Sequence, residues 1–201
     1  MTRWSSRVSY CVGLASNSFD ACLNSGYLYI EDTPGFVLDV LARKSLWEAG
    51  LDYGHGTGHG VGAALNVHEG PHSISPRFGN KEGLKAGMVT SNEPGFYDDG
   101  NFGIRIENLL EIVDAASGND GSDEPPSKKR RTDGKRFLKF GKLTMIPIQK
   151  NLIDVGLMTK AELDWLDEYH EEVLAKVRPL LEEGTPAMDW LVKSCEKIER
   201  S

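Results

Sequence analysis

The sequence predicts an α+β fold on three observations. Residues 51–113 are glycine-rich and carry several short alternating runs, the pattern of strands joined by irregular turns. A helix signal precedes that stretch at Thr33. A capping-box pattern followed by apolar residues at helical spacing closes the chain. The 201 residues include 23 basic and 30 acidic side chains, a net charge of −7, and are 39% hydrophobic. That is a globular composition. The net acidity argues against a nucleic-acid binder. No run approaches the roughly 18 apolar residues of a membrane span. The first residues, Met1 to Arg7, lack the apolar core of a secretory signal. Cys11, Cys22 and Cys195 are odd in number and widely spaced and form no CxxC pair, so neither a disulfide framework nor a zinc–cysteine site is indicated.

Taken in order, residues 1–32 are serine-rich, irregular, and at most supply short strands. The first helix has Thr33 to cap it, Pro34 for its first position and Gly50 where a C-terminal cap belongs; Val37, Leu38, Leu41, Leu46 and Trp47 supply its apolar face. Lys85–Thr90 reads as a turn entering a strand, and Phe102–Glu107 and Leu109–Val113 as strands. Residues 114–136 hold 5 acids and 6 bases with almost no apolar content, so they read as a charged insertion unable to build a core. Within them Pro126-Ser-Lys-Lys-Arg-Arg131 resembles a nuclear-localisation run but reads first as a solvated loop. Phe137–Phe140 and Leu143–Ile148 resume the strands, and helices follow from Thr159 and from Thr185-Pro186. The resulting division is 1–32, then 33–113 with 137–158, then 114–136, then 159–201. Trp47, Trp165 and Trp190 are expected in the core, and Cys195 packed in a helix.

Three stretches carry chemistry. Four of the five histidines, His55, His59, His68 and His72, lie within 18 residues, three of them in His55-Gly-Thr-Gly-His59 and its continuation to His68. Glycines beside a histidine allow close approach to a ligand, and imidazole is both the commonest metal ligand and a proton shuttle near neutral pH. Glu93 precedes a Pro-Gly turn and so sits at a strand end; alone, it reads first as an ordinary exposed turn glutamate. Arg105 and Glu107 share one strand face; alone, they form a surface ion pair of little energetic weight. Together, one histidine and two carboxylates from separate strands make a ligand set suited to Mn, Co, Fe or Zn. Two such ions could support metal-assisted hydrolysis.

The stretch from about Gly35 to Pro71, with Ser91-Asn-Glu-Pro-Gly-Phe-Tyr97, Gly103-Ile-Arg-Ile-Glu-Asn108 and Leu143–Ile148, resembles the C-terminal part of Xaa-Pro aminopeptidase, a pita-bread metallopeptidase related to methionine aminopeptidase and prolidase. Leu163-Asp-Trp-Leu-Asp-Glu-Tyr-His170 and Trp190-Leu191 resemble the terminal helices of its eukaryotic cytosolic branch. The resemblance implies part of the pita-bread fold, with a curved antiparallel sheet flanked by helices. It implies two divalent ions, typically Mn2+, and a metal-activated water that releases an N-terminal residue ahead of proline. Substrates would be peptides with proline at the second position, the setting cytoplasmic, and the assembly a homodimer.

By motif match, His59, Glu93 and Glu107 are metal ligands. Glu93 doubles as acid and base, and Glu107 bridges the two ions. His68 contacts substrate and steadies the reaction intermediate, His55 lines the substrate pocket, and Arg105 supports the ligands from behind. The family's site also takes two aspartates and a histidine from upstream. None of Asp20, Glu31, Asp32, Asp39, Glu48 or Asp52 matches, and no histidine precedes His55. Residues 1–32 therefore read as unrelated to the family, and the chain as a truncated member with impaired activity. The competing expectation is a pita-bread module that binds peptides without catalysis.

Overall fold

A computed structural model describes residues 28–64, 66–115 and 134–199. The cysteines Cys11 and Cys22 and the basic run 126–131 lie outside the described residues, as do most of segments 1–32 and 114–136. The chain divides into two compact units, one holding the described residues up to Leu143 and the other those from Thr144 onward. The sequence placed that boundary later, after residue 158.

The first unit is a helix on short strands. Strands β1 (Tyr29–Ile30), β8 (Phe137–Lys142), β7 (Asn108–Asp114) and β4 (Val89–Asn92) form an antiparallel sheet in that order. Two separate antiparallel pairs accompany it, β2 (Gly58–His59) with β3 (Ser73–Ile74) and β5 (Gly95–Asp98) with β6 (Phe102–Arg105). Asn108, Leu110 and Ile112 alternate inward along β7, the period-two pattern expected of a sheet with one face on the core. Tyr29, Leu38, Ile74, Leu84, Ile112 and Leu138 form that core, with Ala86, Met88 and Phe140 against it. β1 corrects the sequence reading of its segment. The last residues of 1–32 are not separate, because Tyr29 and Ile30 pair with Leu138 and Phe137 as the sheet's edge strand.

Helix α1 (Gly35–Glu48) forms where expected, with a different start and a different face. Pro34, in extended conformation, is the N-cap, while the Thr33 hydroxyl donates back to the Ile30 carbonyl at 2.6 Å. The first helical residue must be glycine because a Cβ on Gly35 would come within 1.9 Å of the Ser73 carbonyl oxygen. Gly50 closes the helix at φ 71°, in the left-handed region that favours glycine. The buried face is Leu38, Asp39, Ala42, Arg43 and Leu46, whereas Val37, Val40, Leu41 and Trp47 are exposed. The expected apolar face is thus rotated, because an ion pair occupies the inward side.

In the second unit, α2 (Lys160–Val177) begins with the predicted capping box. The Glu162 amide donates to Thr159 Oγ1, and the Thr159 amide donates to Glu162 Oε2 at 2.6 Å. α3 (Pro186–Ser194) has Thr185 as its cap and Pro186 in its first turn. Leu166, Tyr169, His170 and Val173 on α2, with Met188, Leu191 and Cys195, are buried. Trp165 is buried, but Trp190, like Trp47, is exposed, against the expectation of three core tryptophans.

Leu143–Ile148 is not a strand. The Tyr169 hydroxyl lies within hydrogen-bonding distance of the Thr144 and Ile146 carbonyls, at 3.1 and 2.9 Å, and the Ile148 amide donates to His170 Nε2 at 3.0 Å. Side chains of α2 take up these polar groups where a neighbouring strand would otherwise have done so. Among the described residues, no helix is long and apolar enough to cross a membrane.

Candidate metal centre

The site is built where β2 lies beside the end of β4. The chain can pass there because residue 58 is glycine: a Cβ would fall 2.0 Å from the Ser91 carbonyl oxygen. The His59 amide donates to Ser91 Oγ at 3.0 Å, and Thr90 Oγ1 donates to the His59 carbonyl at 3.1 Å. The Glu93 amide donates to the Thr57 carbonyl at 2.7 Å. This lacing places His59 and Glu93 side by side. Glu107 enters from the two-residue link between β6 and β7.

Donor atoms of His59, Glu93 and Glu107 all lie within 4.8 Å of one another. His59 Nδ1 is 2.9 Å from the Gly60 carbonyl oxygen. A carbonyl only accepts, so Nδ1 carries a proton and Nε2 is the nitrogen that faces the carboxylates. That nitrogen is 3.2 Å from Glu93 Oε1. Ser91 Oγ donates to the same oxygen at 3.1 Å. Arg105 Nη1 stands 3.1 Å from Glu93 Oε2 and 3.8 Å from Glu107 Oε2. Glu93 is buried and Glu107 exposed.

Arg105 Nε donates to the Tyr97 hydroxyl at 2.9 Å, which lies 2.8 Å from His55 Nε2. His55 Nδ1 is 2.7 Å from the Gly56 carbonyl oxygen. The proton order follows: Arg105 gives to Tyr97, and Tyr97 gives to His55. The Tyr97 hydroxyl raises the Arg105 pKa above its ordinary value; partial burial opposes this, and the Glu93 and Glu107 carboxylates add to it. The guanidinium therefore stays charged. The His68 ring lies 4.2 Å, centroid to centroid, from that of His59, and His68 itself is exposed.

The six sequence-selected residues, His55, His59, His68, Glu93, Arg105 and Glu107, thus meet in one cluster. His72 does not join it: it is buried, with Nε2 donating to the Val89 carbonyl at 3.0 Å. The sequence reading missed Ser91 and Tyr97. Ser91 stands two residues before Glu93, and period-two spacing puts both on one strand face. Tyr97 carried no local signal. It also missed Arg43, Asp39 and Thr57, whose signal was an i,i+4 acid–base pair on a helix face that otherwise reads as apolar.

Residues 17–114 match the model of metallopeptidase family M24, and residues 136–198 that of the C-terminal region of peptidase M24. Over 164 residues the chain is 56% identical to aminopeptidase P2 of Arabidopsis thaliana, covering 82% of this chain and 21% of that protein. It is 50% identical over 167 residues to a probable Xaa-Pro aminopeptidase P of Laccaria bicolor, covering 83% and 24% respectively. Among solved structures, the X-prolyl aminopeptidase of Caenorhabditis elegans, described as a cytosolic enzyme with a di-nuclear active site, superposes with a TM-score of 0.79 at 35% identity. That match covers 96% of this chain and 29% of the other. The chain thus spans between a fifth and a quarter of the length of these curated relatives. The predicted α+β class holds, and with it the pita-bread assignment for this portion of the fold. Two models of one family, together spanning most of the sequence and agreeing with the superposition, lead to one conclusion: the chain belongs to metallopeptidase family M24.

Proposed function

We propose that this chain carries metal ligands of an Xaa-Pro aminopeptidase, an enzyme that releases an N-terminal residue ahead of proline. The observation that carries this reading is the convergence of His59, Glu93 and Glu107 within 4.8 Å. One imidazole nitrogen and two carboxylates suit a borderline-to-hard divalent ion, and manganese is our assignment. When bound, such an ion supplies a Lewis acid for the scissile carbonyl and an acidified water.

The chain's own residues do the rest. Glu93, fixed by Ser91 Oγ on one oxygen and Arg105 Nη1 on the other, receives a proton and returns it to the departing amine. His68, exposed beside His59, steadies charge developing on the substrate carbonyl. His55, with Tyr97 against it, lines the pocket for a peptide with proline second. Glu107 would hold the ion together with His59 and Glu93, and by the family resemblance it would be the carboxylate shared with a second ion. A cytoplasmic setting and a homodimer follow from the same resemblance, and the Caenorhabditis relative is described as cytosolic.

Among the described residues, the group that could hold a metal has three members, fewer than a di-nuclear centre requires. We expect manganese uptake by calorimetric titration, weakened at least about tenfold in Glu93→Gln and His59→Ala. We also expect very low turnover of an Arg-Pro-Pro peptide by this chain alone. No metal uptake at millimolar manganese overturns the metal reading. Peptide affinity without metal would instead favour a binding module, and robust turnover lost in Glu93→Gln would overturn the impairment alone.

A further inference from the structure

We infer that Arg43, on the inward face of α1, is the positioning residue that fixes the histidine-bearing loop and, through Thr57, the backbone of Glu93; its relevance to catalysis rests on the metal reading above. Arg43 is 2% exposed, Asp39 1% and Thr57 0%. All five guanidinium N–H groups find acceptors. Nε donates to Asp39 Oδ2 at 2.7 Å and Nη2 to Asp39 Oδ1 at 3.3 Å, a forked pairing. Nη1 donates to Asp52 Oδ1 and to the Tyr53 carbonyl, both at 2.7 Å, and Nη2 to the His55 carbonyl at 2.6 Å. The guanidinium also stacks on the Tyr53 ring, 3.9 Å from its centroid.

These contacts grip residues 52, 53 and 55 of the loop that leads into β2. Asp39 carries the grip onward, because Thr57 Oγ1 donates to its Oδ1 at 2.7 Å. The Thr57 carbonyl in turn accepts the Glu93 amide at 2.7 Å. An unbroken hydrogen-bonded path therefore runs from Arg43 through Asp39 and Thr57 to Glu93, and a second runs directly to His55. A helix is stiffer than a glycine-rich loop. Arg43 lends that stiffness to His55 and, through Asp39 and Thr57, to Glu93. Lysine cannot do this, since it offers one point charge where five directed donors are used.

The test uses the full chain with Arg43→Lys, Thr57→Val and, as a control for general softening, Ile112→Val in the core. Amide exchange at Glu93, imidazole 15N shifts of His55 and His59, and cobalt(II) titration by visible absorption are read together. In Thr57→Val and Arg43→Lys, Glu93 amide exchange rises about tenfold or more. The imidazole resonances move, and cobalt binding weakens by a similar factor. Ile112→Val moves none of these. Unchanged Glu93 exchange and histidine shifts in Thr57→Val overturn the inference, as does the same change in the control. If Arg43→Lys fails to fold, Thr57→Val alone decides. If the unaltered chain takes up no cobalt, the metal reading falls, while exchange and imidazole shifts still decide the role of Arg43.

Discussion

Tyr29 shows what a single buried atom costs. Its ring packs against Phe140 at 5.1 Å between centroids, yet its hydroxyl is buried without a partner among the described residues. Burial pushes the phenol pKa up. An unpartnered buried hydroxyl gives back part of what its ring contributes. Tyr29→Phe should therefore leave stability unchanged or raise it by about 1 kcal/mol, read as a higher urea midpoint at constant slope. At this scale the candidate site was legible in part. His59, Glu93 and Glu107 could be named because their flanking residues form recognisable motifs. Spacing alone left Glu93 as an ordinary turn residue and Glu107 as half of a surface pair. Tyr97 and Arg43 stayed hidden because their importance comes from partners 42 and 12 residues away, His55 for each.

Elements whose ends are set by local chemistry were the legible ones. The capping box at Thr159 and the Thr185-Pro186 start need only residues three or four apart, so a sequence displays them directly. The face of α1 and the fate of Leu143–Ile148 are settled by tertiary partners, the Tyr53 and His55 carbonyls and the Thr57 hydroxyl that hold Arg43 and Asp39 inward in one case and Tyr169 with His170 in the other. His170 makes α2 sensitive to acid. Its Nε2 accepts the Ile148 amide, its Nδ1 is buried without a partner among the described residues, and burial, reinforced by the Lys150 charge and opposed by Asp167, pushes its pKa from 6.5 down to about 4. Between those two pH values the unfolded chain binds a proton that the folded one refuses. Stability is therefore intact above about pH 6.5 and falls as pH drops toward 4, by on the order of 3 kcal/mol from this group. Urea midpoints at pH 7 and pH 4.5 should separate in the natural chain, and His170→Gln should narrow the gap. An unchanged gap would show that other groups dominate.

The order β1-β8-β7-β4 for the whole sheet was not legible, because it draws residue 29 beside residue 138, and no local pattern announces such a pairing. The sequence reading has strands resume at Phe137; in the structure β7 and β8 lie antiparallel with Asp114 opposite Leu138. The base of that connection is closed by Arg136. It donates to Asp114 at 2.6 Å and to Glu31 at 2.8 Å, while the Ala115 amide donates to the Phe137 carbonyl. A protease that severed the backbone once between residues 116 and 133 would therefore make two polypeptides and still leave one particle. The cut ends would belong to neighbours already zipped together along β7 and β8, with β1 clasping the far side. We expect the halves to co-elute in size-exclusion chromatography and to part only in denaturant, so that two separately made pieces could reassemble on mixing.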